Sequence, residues 1–203
     1  SLKPISQPAS RAIVTAAFDY ARANGRRKVT AVHKANIMKE TDGLFLRVAR
    51  EVASAYPDIA FEDKIVDAAC MGLVQNPADF DVLVLPNLYG DSVSDLCAGL
   101  VGGLGLAPGA NIGRDCAIFE ATHGSAPDIA GRDIANPTAE FLSAAMMLDY
   151  LDEHAAAERV RRAVSATLAE GVAVTADIRR ALTGSTEGAV GTRAYTEAVI
   201  AHL

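Results

Sequence analysis

The feature that most constrains this chain is the order of its apolar runs. KVTAVHK (28–34) and DVLVLP (81–86) are short, rich in β-branched residues and apolar nearly throughout. Such runs suit strands covered on both faces rather than half-exposed ones. Asp58 to Val66 reads as another strand between them, and Ala117-Ile118-Phe119 as a short fourth. Helical spacing fills the gaps. Residues 8–24 place Ile13, Ala16, Ala17 and Tyr20 on one face, with Asn24-Gly25 as a stop. Further helices are expected from Glu40 to Tyr56, Ala68 to Val74 and Asp91 to Leu100. Strands alternating with helices predict βαβ units, and hence an α/β fold with a largely parallel sheet and flanking helices.

The rest reads as mainly helical. Asn136 suits an N-cap and Pro137 a first helical position, with Phe141, Ala144, Ala145, Leu148 and Leu151 marking one face. Helices around 155–170 and 187–201 follow. GGLGLAPGANIG (102–113) is rich in glycine and reads as a tight loop or an inter-domain crossing.

Charge narrows the function. The 203 residues carry 19 Lys+Arg against 25 Asp+Glu, a formal charge of −6. That balance argues against nucleic acid as a partner, because phosphate backbones select basic surfaces. No apolar run approaches the roughly 20 residues that span a bilayer, so no membrane association is expected. Cys70, Cys97 and Cys116 form no CxxC pair and read as reduced thiols in a cytoplasmic compartment. SLKPISQPAS at the start has no signal-peptide pattern and no initiator Met.

Ligands in open α/β sheets bind beyond the carboxyl ends of the strands. Each predicted strand here runs into an ionisable residue: His33-Lys34, Asp67, Asp91 after Asn87-Leu88-Tyr89-Gly90, and Glu120 to His123. Asp91 and Asp95 are four apart, so on a helix their carboxylates share a face. With Asp67 they would make an oxygen-rich site for Mg2+ or Mn2+. The spacing equally fits a helix cap at Asp91 and a first-turn acid at Asp95. Lys34 between apolar neighbours suits either a base or a surface lysine. His123-Gly-Ser-Ala-Pro127-Asp128 is built of small residues that allow close backbone approach to a ligand. Neither GxGxxG after a strand nor a P-loop is present.

VHKANIMKETDGLF (32–45), NLYGDSVSDLCAGLVGGLGLAPGANIG (87–113), FEATHGSAPDIAG (119–131) and ANPTAEFLSAAMML (135–148) together resemble the isocitrate/isopropylmalate dehydrogenase family. The resemblance covers nearly the whole chain, in family order. It implies an isocitrate/isopropylmalate dehydrogenase-like fold and metal-dependent oxidative decarboxylation of a 2-hydroxy acid, with hydride passing to NAD. Lys34 matches the catalytic lysine that helps deprotonate the substrate hydroxyl and touches substrate. Asn36 matches a residue near substrate and nicotinamide. Asp91 and Asp95 match metal ligands, and Asp67 a metal ligand supplied across a subunit interface. His123, Gly124, Ser125, Ala126, Pro127, Asp128, Ile129 and Asn136 match the cofactor-binding loop, with His123 and Asn136 beside adenine and Asp128 on the ribose.

Two departures stand out. Ser92 occupies a position where relatives carry a large apolar residue. The family's N-terminal part, with its substrate-binding Ser/Asn/Arg cluster and catalytic tyrosine, has no match. The resemblance therefore implies residues 1–100 as the remainder of the small domain, with dimerisation and metal/substrate roles. Residues 101–203 would be the closing part of the large cofactor-binding domain. Isocitrate is the favoured small-molecule substrate, on the likeness of MKETDGLF and NLYGD–SDLCAGL to NAD-linked isocitrate enzymes. Isopropylmalate, homoisocitrate or tartrate enzymes, or a truncated non-catalytic subunit, are the alternatives. A homodimer with a shared active site is implied.

Overall fold

The computed structural model describes residues 2–203 and divides into two compact units, one ending at Cys97 and the other Ala98–Leu203. The first holds α1 (Gln7–Ala23), β1 (Lys28–His33), α2 (Thr41–Ala53), β2 (Ala60–Ile65), α3 (Val66–Gln75), β3 (Val82–Val84) and most of α4 (Asn87–Leu100). The second holds β4 (Pro108–Ile112), β5 (Ala117–Ala121), α5 (Thr138–Tyr150), α6 (His154–Glu170), α7 (Ala176–Thr183) and α8 (Thr192–Ala201).

In the first unit the strands form a parallel sheet in the order β2-β1-β3. The central strand is buried from Val29 to His33, as its continuous apolar run predicts. Val29 and Ala31 face the apolar sides of α1 (Val14, Phe18, Ala21) and α2 (Phe45, Val48, Ala49, Val52) in one core with Val82 and Val84. Phe18 anchors it, stacked at 4.8 Å on Tyr56. Because the strands are parallel, β1, β2 and β3 all end at one edge, where Lys34, the start of α3 and the start of α4 follow.

The second unit departs from the sequence reading. The glycine-rich stretch is partly a strand: Pro108–Ile112 pairs antiparallel with Ala117–Ala121. The fourth predicted strand thus lies in a separate ribbon and not in the parallel sheet. A second core gathers Ala163, Val164, Val174, Ile178, Tyr195 and Val199. α7 was not anticipated, because eight residues are shorter than the window over which helical periodicity is read. No helix among the described residues is long and apolar enough to cross a membrane.

Candidate active site

Lys34 is the first residue beyond β1, and both of its flanks are pinned. Its backbone N–H donates to Asp42 Oδ2 at 2.8 Å, and its carbonyl accepts from the N–H groups of Ile37 and Met38. The next N–H, of Ala35, donates to His33 Nδ1 at 3.0 Å. His33 is buried, and its Nε2 lies 3.3 Å from Asp63 Oδ2, so the hydrogen bonds assign the ring proton to Nε2. Asp63 is itself held by two guanidinium nitrogens of Arg50. Burial pushes the Asp63 carboxyl up, but hydrogen bonds from Arg50 and His33 outweigh it and leave it below its ordinary value.

The Lys34 side chain runs to the edge of the sheet. Its Nζ donates to Asp67 Oδ1 at 2.6 Å. Asp67 sits in the first turn of α3 with 71% of its side chain exposed. The hydrogen bond from Lys34 holds its carboxyl below the usual carboxylate range. Asn36 lies exposed in the turn beyond Lys34.

α4 begins at Asn87, a full turn before the predicted start. Asp91 is therefore its fifth residue and Asp95 its ninth, which removes the alternative of a cap and a first-turn acid. Both are exposed one turn apart on the same face, and the neighbouring Ser94 hydroxyl donates to the Asp91 backbone carbonyl. Their unshared oxygens are hard donors of the type Mg2+ or Mn2+ prefers. Among the described residues no three His, Cys, Asp or Glu side chains converge on one point. Within one chain Asp67 is taken by Lys34 and does not join this pair.

In the second unit a cleft of about 930 Å³ opens beside the 123–136 loop, within the size range of small-ligand sites. His123, Gly124, Ser125, Ala126, Ile129 and Asn136 line it, together with Gly105, Asp133, Asp177 and Arg180. Pro127 and Asp128 do not line it. Asp128 is exposed on a short 3-10 turn over Pro127–Ile129. The loop is held in strained backbone at Ala126 (φ 43°) and Asp133 (φ 52°). Asp133 is pinned because its side chain accepts the Arg193 N–H at the start of α8 and its carbonyl accepts that of Thr192. Gly105 is required for space, since a Cβ there would come within 2.9 Å of Asn136 Cβ.

Asn136 is fixed by its neighbours. Its Oδ1 accepts from the Thr138 N–H and hydroxyl, and its Nδ2 donates to Asp177 Oδ2 at 2.8 Å. The Thr138 hydroxyl in turn accepts from the buried Tyr195 hydroxyl at 2.7 Å. Asn136 thus caps the first turn of α5, with Pro137 rather than Asn136 at the boundary. His123 Nδ1 donates to the Gly124 carbonyl.

Asp42, Asp63, Asp177 and Tyr195 escaped the sequence reading as parts of these sites. Asp42 directly follows Thr41 and Asp177 lies two residues after Thr175, each at a helix start, a pattern that signals capping and not contact with a distant loop.

Comparison with known proteins gives a concordant picture. Residues 1–199 match the model of the isocitrate/isopropylmalate dehydrogenase family. A probable mitochondrial NAD isocitrate dehydrogenase subunit alpha from Caenorhabditis elegans is 57% identical over 88% of this chain and 50% of its own length. A chloroplastic 3-isopropylmalate dehydrogenase from Solanum tuberosum is 57% identical over 84% of this chain and 48% of its own. The crystal structure of isocitrate dehydrogenase from Methylococcus capsulatus superposes with a TM-score of 0.95 at 51% identity, covering all of this chain and 58% of that one. The chain spans about half the length of the curated relatives it matches. These relatives correct one expectation. Curated relatives are mitochondrial or chloroplastic enzymes, against the cytoplasmic compartment read from the cysteines. Free thiols do not separate cytoplasm from the reducing interior of an organelle.

Proposed function

The chain belongs to the isocitrate/isopropylmalate dehydrogenase family, and we propose that the complete protein oxidatively decarboxylates isocitrate with NAD. The observation that carries this reading is the shared edge of the parallel sheet. A lysine with a fixed backbone (Lys34) and three acids (Asp67, Asp91, Asp95) all follow carboxyl ends of its strands. A 2-hydroxy acid presents a hydroxyl and carboxylates, which such a set of groups can bind, neutralise and deprotonate.

Asp91 and Asp95 would hold Mg2+ or Mn2+ on this chain. A pair of carboxylates leaves most of a cation's coordination open for substrate, for water and for Asp67 of a second copy. When bound, the cation would supply Lewis-acid stabilisation of the negative charge that develops on the substrate oxygen and on the enolate left after CO2 departs. Lys34 would hold the substrate hydroxyl and take its proton. Lys34 Nζ donates to Asp67 here, so it reaches substrate only when Asp67 turns away from it. Lys34 and Asp67 lie together within one chain, which supports their reaching as a unit into the site of a partner in a homodimer. Asn36, exposed beside Lys34, is free to meet substrate or nicotinamide.

The cleft beside loop 123–136 suits the adenosine end of NAD. Small residues at Gly124, Ser125 and Ala126 leave the backbone accessible, and Asn136 is locked in one orientation. When bound, NAD would accept the hydride. His123 and Ile129 would flank the adenine and ribose, while Pro127 shapes the turn that presents Asp128. The two units correspond in this reading to the end of a small domain and the closing part of a large cofactor domain.

Steady-state assay of the complete enzyme with isocitrate and isopropylmalate, each with NAD and Mg2+, tests the reading. A higher kcat/KM for isocitrate is expected, and Lys34→Met should abolish turnover. Faster turnover of isopropylmalate would favour the alternative to which the potato relative points.

A further inference from the structure

α8 starts at Thr192 after Gly191, and glycine has no side chain with which to cap a helix. The cap comes instead from Asp133, on the cofactor loop. Its carbonyl accepts the Thr192 N–H at 3.1 Å, and its Oδ1 accepts the Arg193 N–H at 2.9 Å. The first amides of a helix have no partner within it, so an acid placed there satisfies them and meets the positive end of the helix dipole. Asp133 holds a φ of 52°, in the left-handed region that aspartate and asparagine enter more readily than most residues. A Cβ on Gly191 would come within 2.5 Å of the Asp133 carbonyl oxygen and of Oδ2, so only glycine leaves room for this contact. The carboxylate is thus turned onto α8. The same helix end ties down the residues that follow. The Thr192 hydroxyl donates to the Ala135 carbonyl, and Tyr195 reaches Asn136 through Thr138. Residues 133–136 all line the cleft.

We propose that Asp133 is a positioning residue for the adenosine end of NAD: by capping α8 from the cofactor loop, it fixes the 133–136 wall of the cleft on that helix. The inference rests on the reading of the cleft as the adenosine site. Asp133, Ile134 and Ala135 are exposed, so no core of their own shapes this wall. Its shape is set by what its backbone is tied to. A wall ordered before the ligand arrives spares binding the cost of ordering it. Asp133 need not touch NAD for this, since Oδ1 is engaged by Arg193 and Oδ2 lies against Gly191. Every group involved belongs to the second unit of one chain, so the role is independent of how a partner completes the reaction site. Its effect falls on NAD binding and not on the chemistry at Lys34.

The test is made in the complete enzyme with Asp133→Ala, Asp133→Gly, Asp133→Asn, Gly191→Ala and Asn136→Ala. Asp133→Ala should raise KM for NAD about threefold to tenfold, as loss of a helix cap implies, with kcat at saturating NAD within about twofold. Calorimetric titration with ADP-ribose, which carries the adenosine end without nicotinamide, should show the same weakening without turnover. Asp133→Gly relieves the backbone but removes the cap, and should weaken ADP-ribose as Asp133→Ala does. Asp133→Asn keeps an oxygen for the Arg193 N–H and should bind within about twofold of the wild type. Gly191→Ala removes no group from the cleft but displaces Asp133, and should reproduce the loss. In Asp133→Ala the Arg193 amide should exchange with solvent faster while Val164 and Val199 stay protected. Loss of protection at Val164 and Val199 would mean that the second core has opened and would overturn the positioning role. So would unchanged ADP-ribose affinity in Asp133→Ala beside a weakened Asn136→Ala. A loss in Asp133→Asn as large as in Asp133→Ala would also overturn it, because the charge and not the cap would then be at work. Unchanged affinity in Asn136→Ala would overturn the reading of the cleft itself, and the inference with it.

Discussion

Lys34 Nζ donates to Asp67 Oδ1 at 2.6 Å, joining the starts of two successive crossovers of one parallel sheet. The residues are 33 apart in sequence and meet because β1 and β2 are paired in register from Lys28↔Ala60 to His33↔Ile65. Lys34 is one step beyond that register and Asp67 two. An ion pair this exposed is weak and is screened by salt. It is thus readily exchanged for other partners, as the proposed roles of Lys34 as base and Asp67 as metal ligand both require.

The acid pair on α4 should control metal dependence. Asp95→Asn in the complete enzyme is expected to raise the Mg2+ or Mn2+ concentration for half-maximal activity by tenfold or more, at about 1.4 kcal/mol per decade. Titration of activity with metal measures it, and thermal-shift titration with Mn2+ provides a check without turnover. Unchanged metal activation would remove Asp95 from the ligand set.

A site shared between subunits predicts complementation. Subunits bearing Lys34→Ala should be inactive as homodimers, and subunits bearing Asp95→Asn nearly so at a Mg2+ concentration that just saturates the wild type. After mixing and reassembly they should regain activity, because one site of each mixed dimer draws both intact groups. No recovery in a verified mixed dimer would place Lys34 and Asp95 in the same subunit's site.

Asp128 is expected to favour NAD over NADP, because a carboxylate beside the ribose accepts hydrogen bonds from its hydroxyls and repels a 2′-phosphate. The preference should be roughly ten- to a hundredfold, from about 1–3 kcal/mol. Asp128 lies on the turn next to the cleft and not in its wall, so this effect requires the 127–129 turn to close over the ribose. Asp128→Lys with Ile129→Tyr should move kcat/KM toward NADP. Arg180 already lines the cleft, and a wild-type preference for NADP would mean that this cation outweighs Asp128.

Stability should fall in acid with a defined sign. Burial pushes the Asp42 carboxyl up, but hydrogen bonds from Lys3 and from the Lys34 N–H overcome it and leave the group below its ordinary value. Asp63 and Glu62 are depressed in the same way. A depressed carboxylate binds fewer protons folded than unfolded. Its contribution is therefore present above the unfolded value near pH 4 and is lost as pH falls below it. Melting temperature should be flat above about pH 5 and drop through pH 4 and below. Asp42→Asn should lower Tm at neutral pH and flatten that drop; an unchanged acid limb would show that Asp42 does not contribute.

Tyr195→Phe removes a buried hydroxyl that donates to Thr138, while Thr138 keeps its bond to Asn136. A loss of about 1 kcal/mol is expected from chemical denaturation. A modest rise in KM for NAD with kcat unchanged should accompany it, since Asn136 loses one support of its orientation.

The parallel sheet was legible because β1 and β3 are apolar on both faces, a pattern that suits strands covered on both sides; their order in the sheet was not. Lys34, Asp91 and Asp95 were legible as candidates because strand ends and helical spacing are local properties. The family resemblance added their roles, and the match over residues 1–199 agrees with that family. Tertiary structure decided what is not local. It set the start of α4 a turn early, which frees Asp91 and Asp95 from capping. It turned part of a glycine-rich stretch into an antiparallel ribbon, since strand pairing depends on a partner and not on composition. It also placed Asp42 against Lys34 and Lys3, and Asn136 against Asp177 and Thr138. A buried charge needs partners from wherever the chain returns, and periodicity along the sequence carries no record of which segments those will be.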